Sequence, residues 1–140
     1  MAVSIDRSAI ECGGAHIRAH SRHLATVLTI SGAIHALNVD RVSECSRRFI
    51  LDDLPFVLDL SRVTSFDVSG ISFLRRVEED CRAAGVQWAL IAGTEVDDVL
   101  RIDDEDAFPV ADSLPEALNH FADAIVTRRR LLLPLLAKSA

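Results

Sequence analysis

The spacing of apolar and polar residues changes several times along the chain, and each change predicts an element. "AHIRAHSR" (15–22) alternates around Ile17 and Ala19, and "ATVLTISGAI" (25–34) is rich in β-branched side chains at Val27, Thr29 and Ile30. Two residues separate these runs, so the spacing predicts an antiparallel strand pair. Val39, Val42, Ser46 and Phe49 then recur at helical steps, with Asn38 placed as N-cap and Leu54-Pro55 as the stop. "FVLDL" (56–60) is the continuous apolar run expected of a strand covered on both faces, and "SRVTSF" carries it outward to Asp67. From there Ile71, Leu74, Val77 and Cys81 step as a helix does, with charged residues opposite and Gly85 at the end. "VQWALIAG" (86–93) predicts another buried strand, Glu95 to Ile102 a short helix, and "AFPV" (107–110) a brief last strand. Ser113-Leu114-Pro115-Glu116 is a capping box opening a helix whose stripe is Leu114, Ala117, Leu118, Phe121 and Ile125.

Helix and strand therefore alternate from residue 36 onward, which calls for right-handed crossovers onto a mainly parallel sheet. The early pair supplies an antiparallel edge. The expected architecture is α/β, a single small domain over 15–126 with a mixed, mainly parallel sheet. Residues 1–14 are polar and weakly patterned, and are expected to form an N-terminal extension broken by Gly13-Gly14. Residues 127–140, "TRRRLLLPLLAKSA", are expected to extend the last helix and to pack on the domain or on a homodimer seam.

Composition narrows the function classes. At 140 residues one domain is expected, with 49% apolar and 26% charged residues, as in ordinary globular chains. The aromatic share of 5% leaves little for a base-stacking platform, and a net charge of -6 opposes a phosphate-backbone footprint. Arg128-Arg129-Arg130 is too short to alter that, so no nucleic-acid partner is expected. The start has no basic segment followed by an apolar one, and no apolar run approaches the roughly 20 residues of a membrane span. A soluble cytoplasmic protein with reduced thiols is expected.

Candidate chemistry is sparse. Cys12, Cys45 and Cys81 have no metal-ligand spacing, and the last two fall at apolar helix positions. Asp103-Asp104-Glu105-Asp106 lacks the spacing of a calcium loop, and His16, His20 and His23 have no carboxylate or cysteine placed beside them. "VSGIS" is not a nucleophile elbow, and no glycine-rich nucleotide loop is present. No catalytic residue, metal or cofactor is expected.

The informative stretch is "RVTSFDVSGISFLRRV" (62–77), where a strand hands over to a helix through Asp67-Val68-Ser69-Gly70. Asp67 is a good N-cap, and Gly70 permits a close approach of the helix start to a neighbour. A helix N-terminus carries unpaired N–H groups and partial positive charge, so it can hold a phosphate without unfolding.

The order of "DL" (59–60), "D-x-S-G-I" (67–71), "GVQWALIAG" (85–93), "VLRIDDEDAFPV" (99–110) and "S-x-x-E-A-L" (113–118) resembles the STAS domain, with "LTISGAI" (28–34) similar to an earlier strand signature. The resemblance covers about residues 15 to 125. It implies helices packed mostly on one face of the sheet. It also implies an anti-sigma factor antagonist, docking on a serine/threonine-kinase-type anti-sigma factor that phosphorylates a hydroxyl at the helix start. The implied partner surface is Asp67, Val68, Ser69, Gly70 and His35. Two positions depart from the pattern. Val68 stands where the acceptor hydroxyl is expected, leaving Ser69 as the phosphorylation candidate, and His35 stands where an acidic residue is frequent. The alternative is a STAS-type structural or regulatory subunit of a stress-sensing or lipid/anion transport assembly.

Overall fold

A computed structural model describes residues 9–22, 24–103 and 108–124. Its sheet has five strands in sequence order: β1 (Ile10–Cys12), β2 (Ala15–Arg22), β3 (Ala25–Ile34), β4 (Phe56–Phe66) and β5 (Trp88–Ile91). β1, β2 and β3 pair antiparallel, while β3, β4 and β5 run parallel. The parallel pairs are bridged by helices α1 (Val39–Arg47) and α2 (Gly70–Ala84). After β5 come α3 (Gly93–Asp103) and a last helix, α4 (114–124). The mixed sheet with its antiparallel edge is the architecture the periodicity predicts.

Alternation along the strands divides the core between two faces. Ile17, Leu28, Leu58 and Leu90 point to one side, where Val42 of α1, Leu74 and Val77 of α2, and Val96 of α3 meet them. Val27, Val57, Ala89 and Ile91 point to the other, covered by Ala117 and Phe121 of α4. Among the described residues, three helices thus lie on one face and one on the other.

Several details differ from expectation. Ile10–Cys12 lies in the stretch expected to be a plain extension, yet it forms the edge strand, with Ile10 opposite Ile17 and Cys12 opposite Ala15. Three residues with a single buried side chain, Cys12, leave no readable period, and the strand exists because β2 offers it partners. "AFPV" contributes one parallel bridge, Val110 to Leu90, rather than a strand. Pro109 has no N–H to donate, which limits pairing there. In α4, the Ser113 hydroxyl accepts the Glu116 N–H (3.2 Å), but the Glu116 carboxylate accepts from Asp112 rather than Ser113.

β4 stays in the sheet for eleven residues by changing its period. Beyond Leu60 the buried positions are Val63 and Phe66, three apart, and the pairing with β3 slips twice, between Thr29 and Ser31 and between Gly32 and Ala33. Such slips add residues to one strand and bend it. Their result is that Phe66, the last residue of β4, turns into the core.

All three cysteines are free and buried. Burial pushes the Cys81 thiol up to about 12, with help from Asp80 and Glu78. The Cys45 thiol is also raised, first by burial and then by the adjacent Cys12. No helix among the described residues is long and apolar enough to cross a membrane.

Candidate functional site

The site predicted from the sequence stands where β3 and β4 end side by side. Ile34 pairs with Phe66, and the Asp67 N–H donates to the Ile34 carbonyl at 3.4 Å. His35 and Asp67, the next residues of each strand, therefore leave the sheet at the same edge. The topology brings together residues 32 positions apart, as the parallel crossover requires.

α2 begins at Gly70, two residues later than a cap at Asp67 would place it. Between them runs a tight turn of i to i+3 bonds: Gly70 N–H to Asp67 (2.9 Å), Ile71 N–H to Val68 (3.1 Å) and Ser72 N–H to Ser69 (3.2 Å). Ser69, immediately before the helix, makes no side-chain cap. Asp67 does that work from further back. Its Oδ1 accepts the Ser69 N–H at 2.9 Å and also the Ser69 hydroxyl. Asp67 is thus a cap of the turn rather than of the helix proper.

Asp67 and Val68 are exposed, Ser69 is half-buried and Gly70 is buried. Val68 presents 67% of its surface to solvent. Gly70 makes the close approach expected of it, and the neighbour is the Phe66 ring.

His35 is half-buried, with its Nδ1 accepting the Leu37 N–H at 3.2 Å and its Nε2 beside Gly14. Its backbone N–H donates to Asn38 Oδ1 at 2.9 Å. Asn38 holds the N-cap position the sequence predicts, but not through its side chain. It precedes α1 but makes no side-chain cap, and it is 1% exposed. Its Nδ2 instead donates to Ala33 (2.8 Å), Cys12 (3.0 Å) and Gly13 (3.2 Å). One buried amide therefore ties the β1–β2 turn, the end of β3 and the start of α1 together, and sets where His35 stands. On the same turn Glu11 accepts the Gly14 N–H at 2.9 Å, and the Gly14 and Gly13 N–H groups hold its carboxyl below the usual range.

Sequence reasoning missed Leu37. It is 91% exposed on the loop between β3 and α1, and the available signal was a lone leucine between a strand and a polar cap position. With Val68 it puts two exposed apolar side chains on the adjacent loops that leave β3 and β4, beside an exposed carboxylate and an imidazole. The arrangement suits docking. The Ser69 hydroxyl donates to the Asp67 carboxylate, and His35 Nδ1 accepts the Leu37 N–H.

Of the other candidates, His16 and His20 lie on one face of β2, opposite Ser31 and Val27 of β3. No cluster of three or more metal-ligating side chains occurs among the described residues. His23, the acidic residues 104–106, Ile125 and the 127–140 tail lie outside the described residues.

The fold has known counterparts. It superposes on an anti-sigma factor antagonist from Mycobacterium paratuberculosis with a TM-score of 0.64 and 18% identity, covering 76% of this chain and 92% of that one. The unphosphorylated form of the anti-sigma factor antagonist SpoIIAA gives a TM-score of 0.61 at 12% identity, covering 76% and 96%. In sequence, the chain is similar to Osmosensory protein A of Mycobacterium tuberculosis (strain ATCC 25618 / H37Rv), 52% identical over 138 residues, covering 95% of this chain and 87% of that protein. The STAS domain profile matches residues 16–117. With most of its length matched and its sheet and helices arranged as in the antagonists, this chain belongs to the STAS domain family.

Proposed function

We propose that this STAS-domain chain is a regulatory binding module of the anti-sigma factor antagonist type. It acts in the cytoplasm by docking on a serine/threonine-kinase-type anti-sigma factor, without catalysis of its own. The observation that carries the reading is the pairing of exposed Leu37 and Val68 at the edge where Asp67 and His35 emerge. Apolar groups held on a rigid sheet edge supply contact area, while the charged and imidazole neighbours select the partner.

Ser69 is the hydroxyl at this turn open to phosphorylation, since Val68 has none. A phosphate there adds about -1.5 to -2 charges beside the Asp67 carboxylate and displaces the bond between them. The added charge opposes an acidic partner surface while the domain stays folded. The name of the 52%-identical relative also supports a stress-sensing setting, in which the module works as a standing subunit and Ser69 is not modified.

The test is calorimetric titration against a purified kinase-type anti-sigma factor from the same cell. Asp67→Lys and Val68→Glu should each weaken binding at least about tenfold with little change in Tm. Parallel loss of affinity and stability would reduce Asp67 to a turn cap. Ser69→Ala should abolish phosphate incorporation by that kinase, and incorporation that persists refutes the Ser69 assignment. No binding to any such factor, with capture of other stress-sensing components, favours the subunit reading.

A further inference from the structure

The second face of the sheet changes character partway along β3. Val27, buried under α4, is followed on that face by Thr29 and Ser31, both half-exposed. The first face shows no such change, with Leu28 and Ile30 fully buried. Among the described residues, the cover that α4 gives therefore ends beside Thr29 and a polar area is left open.

The neighbours of these two hydroxyls are cationic. Pairing sets Arg18 of β2 opposite Thr29, and both His16 of β2 and Arg62 of β4 opposite Ser31. Cross-strand partners share a face, so these side chains stand on the open area, and all three are exposed. The spacing of strands and the rise along them put Arg18 and Arg62 about 12 Å apart, one on each side of β3.

Two acids lie close by, and both are engaged. Asp59, opposite Thr29, accepts the Ser61 N–H at 2.9 Å and the Ser61 hydroxyl at 2.6 Å. Glu11, opposite His16, accepts the Gly14 N–H at 2.9 Å. Among the described residues neither Arg18 nor Arg62 has an ion-pair partner. Two guanidinium groups flanking a pair of hydroxyls are thus left to carboxylates from outside. The net charge of -6 holds a long polyanion such as a duplex or an anionic membrane at a distance. A short acidic segment meets mainly the local charge, because salt screens beyond about 8 Å.

We propose that this open area of the second face, centred on Thr29 and Ser31 between Arg18 and Arg62, docks a short acidic segment of a partner protein. Each guanidinium takes one carboxylate through paired N–H bonds, and the two hydroxyls donate to the same oxygens. The area lies mid-strand on the α4 side, away from residues 35 and 67–70, so it does not rest on the function proposed above.

The test is fluorescence anisotropy of the full chain with a short labelled peptide alternating glutamate and threonine. Binding should saturate and should weaken several-fold as salt rises from about 50 to about 300 mM. Arg18→Glu combined with Arg62→Glu should weaken it at least about tenfold at unchanged Tm. Arg18→Gln combined with Arg62→Gln, which leaves no reversed charge to upset the strands, should still lose several-fold. Arg48→Glu combined with Arg82→Glu alters net charge equally, at the end of α1 and on α2, and should keep affinity within about twofold. No binding by the wild type, or equal losses in the two charge-reversed pairs, would overturn the proposal. So would tighter binding of a short DNA duplex or of phosphatidylserine vesicles through the same two arginines, since that gives the area to phosphates.

Discussion

The Phe66 ring occupies the space that any side chain at residue 70 would need: a Cβ on Gly70 would stand 2.3 Å from both Cε1 and Cζ of that ring. The end of β4 is therefore locked against the start of α2, with Asp67, Val68 and Ser69 bridging the two.

Gly70→Ala should destabilise the domain by about 1–3 kcal/mol, since a buried aromatic ring must move aside. Phe66→Leu opens that space at its own cost. Urea denaturation of both single variants and the double variant should show that Gly70→Ala costs less when Phe66→Leu is present. Additive losses would mean that the ring is not what excludes a side chain at residue 70.

Removing the Asn38 amide should be costlier than its place before a helix suggests. Asn38→Leu strands the Ala33 and Cys12 carbonyls in the interior, at about 1–3 kcal/mol for each group left without a partner. Asn38→Asp should be worse, because its carboxylate would face those carbonyls in place of a donor. Denaturant midpoints check the ranking, and hydrogen exchange should show β1 and the 35–38 loop loosening together.

Glu11 should make the β1–β2 turn sensitive to acid. Its folded value is depressed, chiefly by the Gly14 and Gly13 N–H groups. Its contribution is therefore complete above the ordinary glutamate value and lost as pH falls through the lowered one. In an NMR titration the Gly14 amide resonance should shift with a midpoint below that ordinary value, and Glu11→Gln should flatten the shift.

The Cys81 thiol should stay protonated and unreactive in the native protein. Its folded value is raised to about 12 from 9.0, so its contribution to stability is complete below the ordinary thiol value and is lost as pH rises toward 12. Thiol reagent added at pH 8 should label Cys81 only under denaturing conditions. Rapid native labelling would contradict its burial.

Much of the fold was legible because period and burial are coupled along single elements. The stripe of Ile71, Leu74, Val77 and Cys81 named α2, and "FVLDL" named the buried part of β4. The far half of β4 was harder, since the slips against β3 replace a period of two by one of three. β1 was not legible at all. Its three residues carry no pattern, and its pairing with β2 defines it.

At the candidate site, the sequence alone identified Asp67, Val68, Ser69 and Gly70 as the handover from strand to helix, because turn and capping chemistry is local. Which atoms they touch was decided by tertiary structure: Phe66 swung inward by the slipped register, Asn38 drawn from capping into a buried amide hub, and Leu37 left in solvent beside the end of β3. Those outcomes depend on contacts between segments distant in sequence. The packing energy of such contacts outweighs the local preferences of the residues involved.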